Sequence, residues 1–293
     1  MTTDWCGTMI GITGASGPLG RATAELVLRA LDPREVVLTT RTPDALADLA
    51  DRGARVRQAD FGEPRTAAAA FAGVERLLLI STDAVGSRLD QHRAAVAAAA
   101  EAGVSHIAYT SVPEPVPANP AVVVADHAGT EQALRESGLR WTMLRNNLYA
   151  HLQIPVIEQA ITTGRLVTNS GDGAAAYVAR EDCAAAAAAV LTRDGYENRA
   201  LDITGPAAVT ARDLADLARE IGGHEVELVD VDDHAFATGL KEAGLPDPVS
   251  ELFTSFGAST RGGFLARVSG AVGDLTGREP RSLADVVRAA RKS

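Results

Sequence analysis

Short runs of β-branched and leucine residues alternate along the first half of the chain with longer segments rich in alanine and leucine. The runs TMIGIT, EVVLTT, ARVRQAD, RLLLIST, SHIAYTS and LRWTMLR each have the length and composition of a strand. Between them, helices are predicted from about Pro18 to Leu31, Pro43 to Asp51 and Asp90 to Ala102, and a further one carries His127. Strands that alternate with helices in this way pair in parallel, with helices covering both faces. The expected fold is α/β, a Rossmann-like doubly wound parallel sheet.

Beyond Tyr149 the pattern loosens. A helix near Leu152 to Thr163, a turn at NSGDG, a helix opening at AREDC and a strand at RALDIT follow. TARDLADLAREIG reads as a helix with Thr210 as its N-cap and Gly222 just past its end, and DVDDH opens another capped by Asp232. SLADVVRAARKS is a last amphipathic helix capped by Ser282. The alanine runs around 94–102 and 184–189 suit close helix packing rather than disorder. No linker or repeat divides the chain. Residues 1–147 are therefore expected to form a dinucleotide-binding core. Residues 148–293 form a mixed region that builds a smaller substrate lobe and returns elements to that core.

Composition narrows the class. With 293 residues, 46% of them hydrophobic and 23% charged, the chain is an ordinary globular one. A net charge of -10 speaks against a nucleic-acid partner, which needs a concentrated positive field. No stretch reaches the roughly 20 apolar residues of a membrane span, and the N-terminus lacks the basic start of a secretory signal. Cys6 and Cys183 have no metal-ligand or Cys-x-x-Cys spacing, so reduced thiols in a cytoplasmic protein are expected. His224 and His234 match no metal site either. A homodimer is left open.

GITGASGPLG places Gly14, Gly17 and Gly20 directly between the first strand and the first helix. One glycine permits an unusual turn, one lets the backbone approach a pyrophosphate, and one lets helix and strand pack closely. Pro18 suits the first helical turn, and the loop residues Ser16, Pro18 and Leu19 present a helix N-terminus to phosphate. Where NAD enzymes carry an acidic residue after the second strand, this chain reads Thr40-Arg41. A guanidinium there pairs with the extra phosphate of NADP, so NADPH is the expected cofactor. The other strand ends fall on the same edge: Asp60-Phe61 toward the adenine, Ser81-Thr82 at the dinucleotide's middle, then Thr110-Ser111, then Asn146-Asn147 with Tyr149. Tyr109, inside the fifth strand, reads as core packing.

The segments ITGASGPLG, RQADF, LLLIST, HIAYTS, DHAGTE and MLRNNLYA resemble the NmrA-like atypical short-chain dehydrogenase/reductases. They are most similar to the branch of the NADPH-dependent quinone oxidoreductases (type 2) and triphenylmethane reductases. LVTNSGDG and GLPDP extend the likeness into the second half. The resemblance implies an NADP-binding core with a small substrate lobe, and a cofactor lined by the glycine loop, Arg41, the strand-four edge and the region of His127.

Ordinary short-chain dehydrogenases use a Tyr-x-x-x-Lys pair. Matching Glu131 to the glutamate beyond that lysine puts His127 at the lysine and Val123 at the tyrosine. Valine cannot transfer a proton, whereas reducing a simple ketone demands a placed acid. The expected reaction is therefore hydride transfer to a quinone or similar conjugated acceptor. His127, Asn146 and Tyr149 are the candidate catalytic residues, His127 also as a ribose contact near Ser111. Two other readings stay open: a non-catalytic NADP(H)-binding redox sensor, and a tailoring reductase for an aromatic natural product.

Overall fold

The computed structural model describes residues 7–84 and 86–292, so Cys6 lies outside the described residues. The first half runs β1 (Ile10–Ile12), α1 (Pro18–Ala30), β2 (Val36–Thr40), α2 (Ala47–Asp51), β3 (Arg55–Gln58), α3 (Pro64–Phe71), β4 (Arg76–Leu79), α4 (Arg88–Glu101), β5 (His106–Ser111), α5 (Val124–Glu136) and β6 (Arg140–Asn146). The second half runs α6 (Gln153–Thr163), β7 (Arg165–Thr168), β8 (Ala174–Ala175), α7 (Arg180–Thr192), β9 (Arg199–Ile203), β10 (Val209–Thr210), α8 (Ala211–Gly222), β11 (Glu227–Asp230), α9 (Asp233–Glu242), α10 (Asp247–Arg261), α11 (Ala271–Thr276) and α12 (Leu283–Ala290).

Seven strands form one parallel sheet in the order β3-β2-β1-β4-β5-β6-β9. The order reverses between β1 and β4, and such a sheet binds its ligand at the carboxyl ends beside that switch. Every residue of β2, β4 and β5 is buried, as strands covered on both faces require. Alternate residues serve two cores. Val36, Leu38, Leu78 and Ala108 pack with α1, α7 and α11, while Val37, Leu77, Leu79, Ile107 and Tyr109 pack with α3 and α4. The alanines of α7 let it lie close against α1, because an alanine surface has no long side chains to hold two backbones apart.

The chain after residue 147 contributes to two places. α7, β9 and α11 complete the sheet and its first face, and α6, α8 and α12 build a separate core with Leu166, Tyr177 and Leu265. Three predicted caps are present: Thr210 accepts from Asp213 N at 3.2 Å, Asp232 from Ala235 N at 2.7 Å, and Ser282 from Asp285 N at 3.1 Å.

Some elements differ from the sequence reading. Gly222 ends α8 rather than following it, and Gly223 terminates the helix at φ +72°, a left-handed conformation that glycine adopts without steric cost. The helices α3 and α10 and the two-stranded pairs β8–β10 and β7–β11 are not among the elements expected from the sequence. The segment from Pro43 begins as a single 3₁₀ turn before α2. Among the described residues, no helix is long and apolar enough to cross a membrane.

Candidate active site

The three glycines divide their work as their geometry dictates. Gly14 sits at φ +57°, where a side chain would be strained. A Cβ on Gly20 would lie 2.3 Å from the Gly14 carbonyl oxygen and 2.8 Å from Ala15 Cα, so this position fixes how closely α1 meets β1. Gly17 is looser inside the protein, since its Cβ would meet only the Gly14 oxygen at 3.3 Å. It is the N-cap of α1, with extended backbone and no side chain capping the helix, Pro18 in the first turn and no acidic residue there. The helix start is thus uncompensated and electropositive, which suits a pyrophosphate. Leu19 turns its side chain into the core, so only its backbone faces the loop.

Ser16 Oγ and Thr40 Oγ1 are 2.7 Å apart, which ties the loop to the end of β2. Arg41 follows, with its side chain exposed. Past β3, Asp60 closes its own turn by accepting from Gly62 N at 2.9 Å, and Phe61 is anchored edge-on against Phe71 with ring centroids 6.3 Å apart. Both are half-buried and committed to local structure.

At the carboxyl ends of β4, β5 and β6 lies a cavity of about 270 Å³. Ser81, Thr82, Ser111, His127, Asn146 and Tyr149 line it, so the structure gathers these predicted residues in one place. Val123 lines it too, as the N-cap of α5, and is buried with Ala121 and Val124. No hydroxyl stands at that position. The far wall comes from elements that the sequence reading did not connect to the site: Asn119, Phe256, Ser259 and Leu265. Ser259 on α10 donates to Asn119 Oδ1 at 2.8 Å, which fixes that wall.

Several polar groups are already engaged. Ser111 Oγ donates to Glu131 Oε1 at 2.8 Å, and Arg145 grips both oxygens of that carboxylate at 2.9 and 2.8 Å, with Arg135 also at 2.9 Å. Burial works to raise the Glu131 pKa, and the bonds from Arg145, Ser111 and Arg135 outweigh it and hold the carboxyl below its ordinary value. Asn147 donates to the Leu265 carbonyl at 2.9 Å and accepts from Leu148 N, so it fastens the second half to β6 rather than facing a ligand. Asn146 and Thr82 are different. Asn146 Oδ1 and Thr82 Oγ1 are buried without a hydrogen-bond partner, an arrangement that costs free energy unless a ligand completes it. Together with the glycine cradle, these atoms fit a dinucleotide laid across the switch point with its reactive end in the cavity.

His127, in the first turn of α5, is buried and hydrogen-bonded through Nδ1 to the Tyr109 hydroxyl at 2.7 Å. Tyr109 is a core residue, as its place inside β5 suggested, but its hydroxyl belongs to a polar chain. His92 on α4 stands 3.4 Å away, with its ring edge-on to the tyrosine. Burial lowers the pKa of both histidines to about 3, reinforced by the nearby Arg88 guanidinium. Both rings are neutral at physiological pH, so His127 presents an uncharged hydrogen-bonding edge. Burial, with the charge environment of Cys183, pushes the Tyr149 phenol well above its ordinary value, so it stays protonated.

The NAD(P)H-binding family model matches residues 14–194. The chain belongs to that family. Over 279 residues it is 35% identical to quinone oxidoreductase 2 of Escherichia coli (strain K12), a match spanning 95% of this chain and 97% of the relative. The crystal structure of the NADPH-dependent quinone oxidoreductase from Escherichia coli complexed with NADPH superposes with a TM-score of 0.93 at 35% identity, covering 97% of this chain and 100% of that one. Triphenylmethane reductase from Citrobacter sp., complexed with NADP(H), superposes at 0.88 with 31% identity, covering 96% and 99%. These are the two activities of the branch that the motifs resemble. The chain is an oxidoreductase of the NAD(P)H-binding family, with the Rossmann-like fold expected of it.

Proposed function

We propose that this oxidoreductase takes NADPH and transfers hydride to a quinone or similar conjugated acceptor without a tyrosine–lysine acid pair. The observation that carries this reading is the cavity wall at Val123. Where an alcohol–ketone enzyme needs a phenol, the wall is apolar, and the histidine one turn on is neutral. A simple ketone would leave an alkoxide without the phenol that the Val123 position supplies in an alcohol–ketone enzyme. A conjugated acceptor delocalises the added charge, and solvent protonates it afterwards. The nicotinamide supplies the hydride when bound. The protein supplies position: the uncapped start of α1 for the pyrophosphate, Arg41 for the 2′-phosphate, and Asn146, Thr82 and Tyr149 for the reactive end. An acceptor of quinone size suits the cavity volume and its Phe256–Leu265 wall.

The test is to mix purified protein with NADPH and a panel of quinones and to follow loss of the reduced cofactor. Oxidation that depends on both partners is expected. Tight NADPH binding with no turnover on any conjugated acceptor would instead favour a dinucleotide sensor.

A further inference from the structure

One chain of buried polar contacts ends at the cavity, and its direction is fixed at the other end. The Thr82 backbone N–H donates to His92 Nε2 at 3.0 Å. An amide nitrogen can only donate, so His92 Nε2 presents a lone pair and the proton of the neutral ring sits on Nδ1. That Nδ1 faces Thr130 Oγ1 at 2.9 Å, and the Thr130 hydroxyl directs its own hydrogen to the Asp126 carbonyl at 2.7 Å. His92 therefore donates to Thr130 and offers the Tyr109 hydroxyl no lone pair. The shortest contact of that hydroxyl is His127 Nδ1 at 2.7 Å, closer than the Thr130 and Ser81 side chains that also face it, and burial keeps the phenol protonated. Tyr109 donates to His127. A neutral imidazole that accepts at Nδ1 carries its proton on Nε2. Among the described residues His127 Nε2 has no hydrogen-bond partner, and the ring lines the cavity.

We propose that Tyr109 and His92 are positioning residues that hold His127 as a neutral donor, with Nε2–H directed at an oxygen of the bound ligands. The proposal rests on the reading that this cavity receives cofactor and acceptor. It adds a sign to the site: the ligand atom seated there must offer a lone pair, either a ribose hydroxyl or the carbonyl of the electron acceptor. Such a donor polarises a carbonyl without giving up its proton. Of the charged groups around the ring, Arg88 lies 3.9 Å from Asp126 and disfavours a protonated imidazole, Glu131 is held by Arg135 and Arg145, and Asp83 is the remaining carboxylate on the cavity wall.

Nitrogen-15 NMR of histidine-labelled protein reads the tautomer directly, with the His127 signal assigned by its loss in His127→Asn. The expected state is Nε2–H, unchanged between about pH 5 and 9, where an ordinary imidazole would titrate. An Nδ1–H tautomer, or an imidazolium in that range, overturns the proposal. Tyr109→Phe is expected to release the lock and give a mixed or Nδ1–H signal, and an unchanged signal overturns it. If Tyr109→Phe does not fold, His92→Gln serves instead: it can still accept from Thr82 and donate to Thr130, so the Nε2–H signal of His127 should be kept, and an Nδ1–H signal overturns the assignment. Adding NADP⁺ alone should shift Nε2–H if the oxygen is the ribose hydroxyl. A shift only on adding a quinone to the NADP⁺ complex names the carbonyl, and no shift with either overturns the donor role. Failure of turnover in the quinone assay bears on the function and leaves the tautomer result standing.

Discussion

At the β1–β2 end of the site, Gly14, Gly17 and Gly20 act through the room left by absent side chains and through backbone N–H groups at the start of α1. At the β4–β6 end, the surface consists of side chains brought from α4, α5, the β6 loop and α10 and held by hydrogen bonds to their neighbours. The first is a shape that any dinucleotide phosphate can use. The second is a particular arrangement of donors and acceptors around an apolar wall, with Arg88 and Asp83 as its charged members. On the function proposed above, one end would govern whether a cofactor binds and the other which chemistry follows.

The sharpest way to break that division is within the glycine loop itself. Gly20→Val places atoms against the backbone of Gly14 and Ala15 that cannot move without separating α1 from β1. A loss of at least about 3 kcal/mol in unfolding free energy is expected from such overpacking, measurable by denaturant titration. Gly17→Val meets only one oxygen at 3.3 Å, so the fold should survive. NADPH affinity should fall by a factor of about 100 or more because the side chain occupies the phosphate's approach. Equal stability losses in the two variants would show that the loop is a structural turn and nothing more.

The same contrast explains what the sequence made legible. Glycine spacing, the strand before it and the helix after it are local, so the loop from Gly14 to Gly20 could be read from one segment. The ends of β4, β5 and β6 could be read as strand ends, but not as engaged or open. Ser111 and Asn147 look as available in sequence as Asn146, yet a carboxylate and a carbonyl from elsewhere occupy them. His92 reads as a polar residue on an alanine-rich helix, and nothing local reveals that the Thr82 amide is its partner. The α10 wall was missed because its fully buried positions are serines and threonines, residue types that do not announce a core face in sequence.

The buried, neutral state of the histidines at the β4–β6 end can be tested through acid stability. His92 and His127 have pKa values lowered by burial to about 3, and His106, at the opposite edge of β5, to about 4. In the unfolded chain these rings bind protons near 6.5, so below that pH the unfolded state binds more protons than the folded one. The stability is fully present above about pH 6.5 and is lost as the pH falls toward the folded values. Up to about 4 kcal/mol per pH unit is expected while all three contribute. Urea unfolding at a series of pH values checks it. His127→Asn should flatten the slope by about a third, and an unaltered slope would mean that the ring is solvated in the folded protein.

Cofactor choice lies between the two regions. Arg41 is exposed at the end of β2, so the pairing proposed for it with a 2′-phosphate would be a surface contact strengthened by the bidentate fork. Arg41→Ala should weaken NADPH roughly tenfold, about 1.4 kcal/mol, and leave NADH nearly unchanged. Fluorescence titration with each cofactor measures both. Equal losses would assign the 2′-phosphate to another group.

The smallest expected effect is at Tyr149, and it decides most about the cavity. Its phenol is buried, interacts with the Asn146 side chain and is held far from ionisation. If it only orients a ligand, Tyr149→Phe removes one neutral hydrogen bond and should lower kcat/KM less than about tenfold, with the pH profile unchanged. If instead the phenol delivers a proton in the rate-limiting step, the loss should exceed about a hundredfold, as removing a general acid does. The larger result would restore a tyrosine acid to this site from β6 in place of Val123, and with it the ability to reduce simple ketones. Steady-state kinetics with one quinone and one unconjugated ketone separates the two, because only a true acid makes the ketone a substrate.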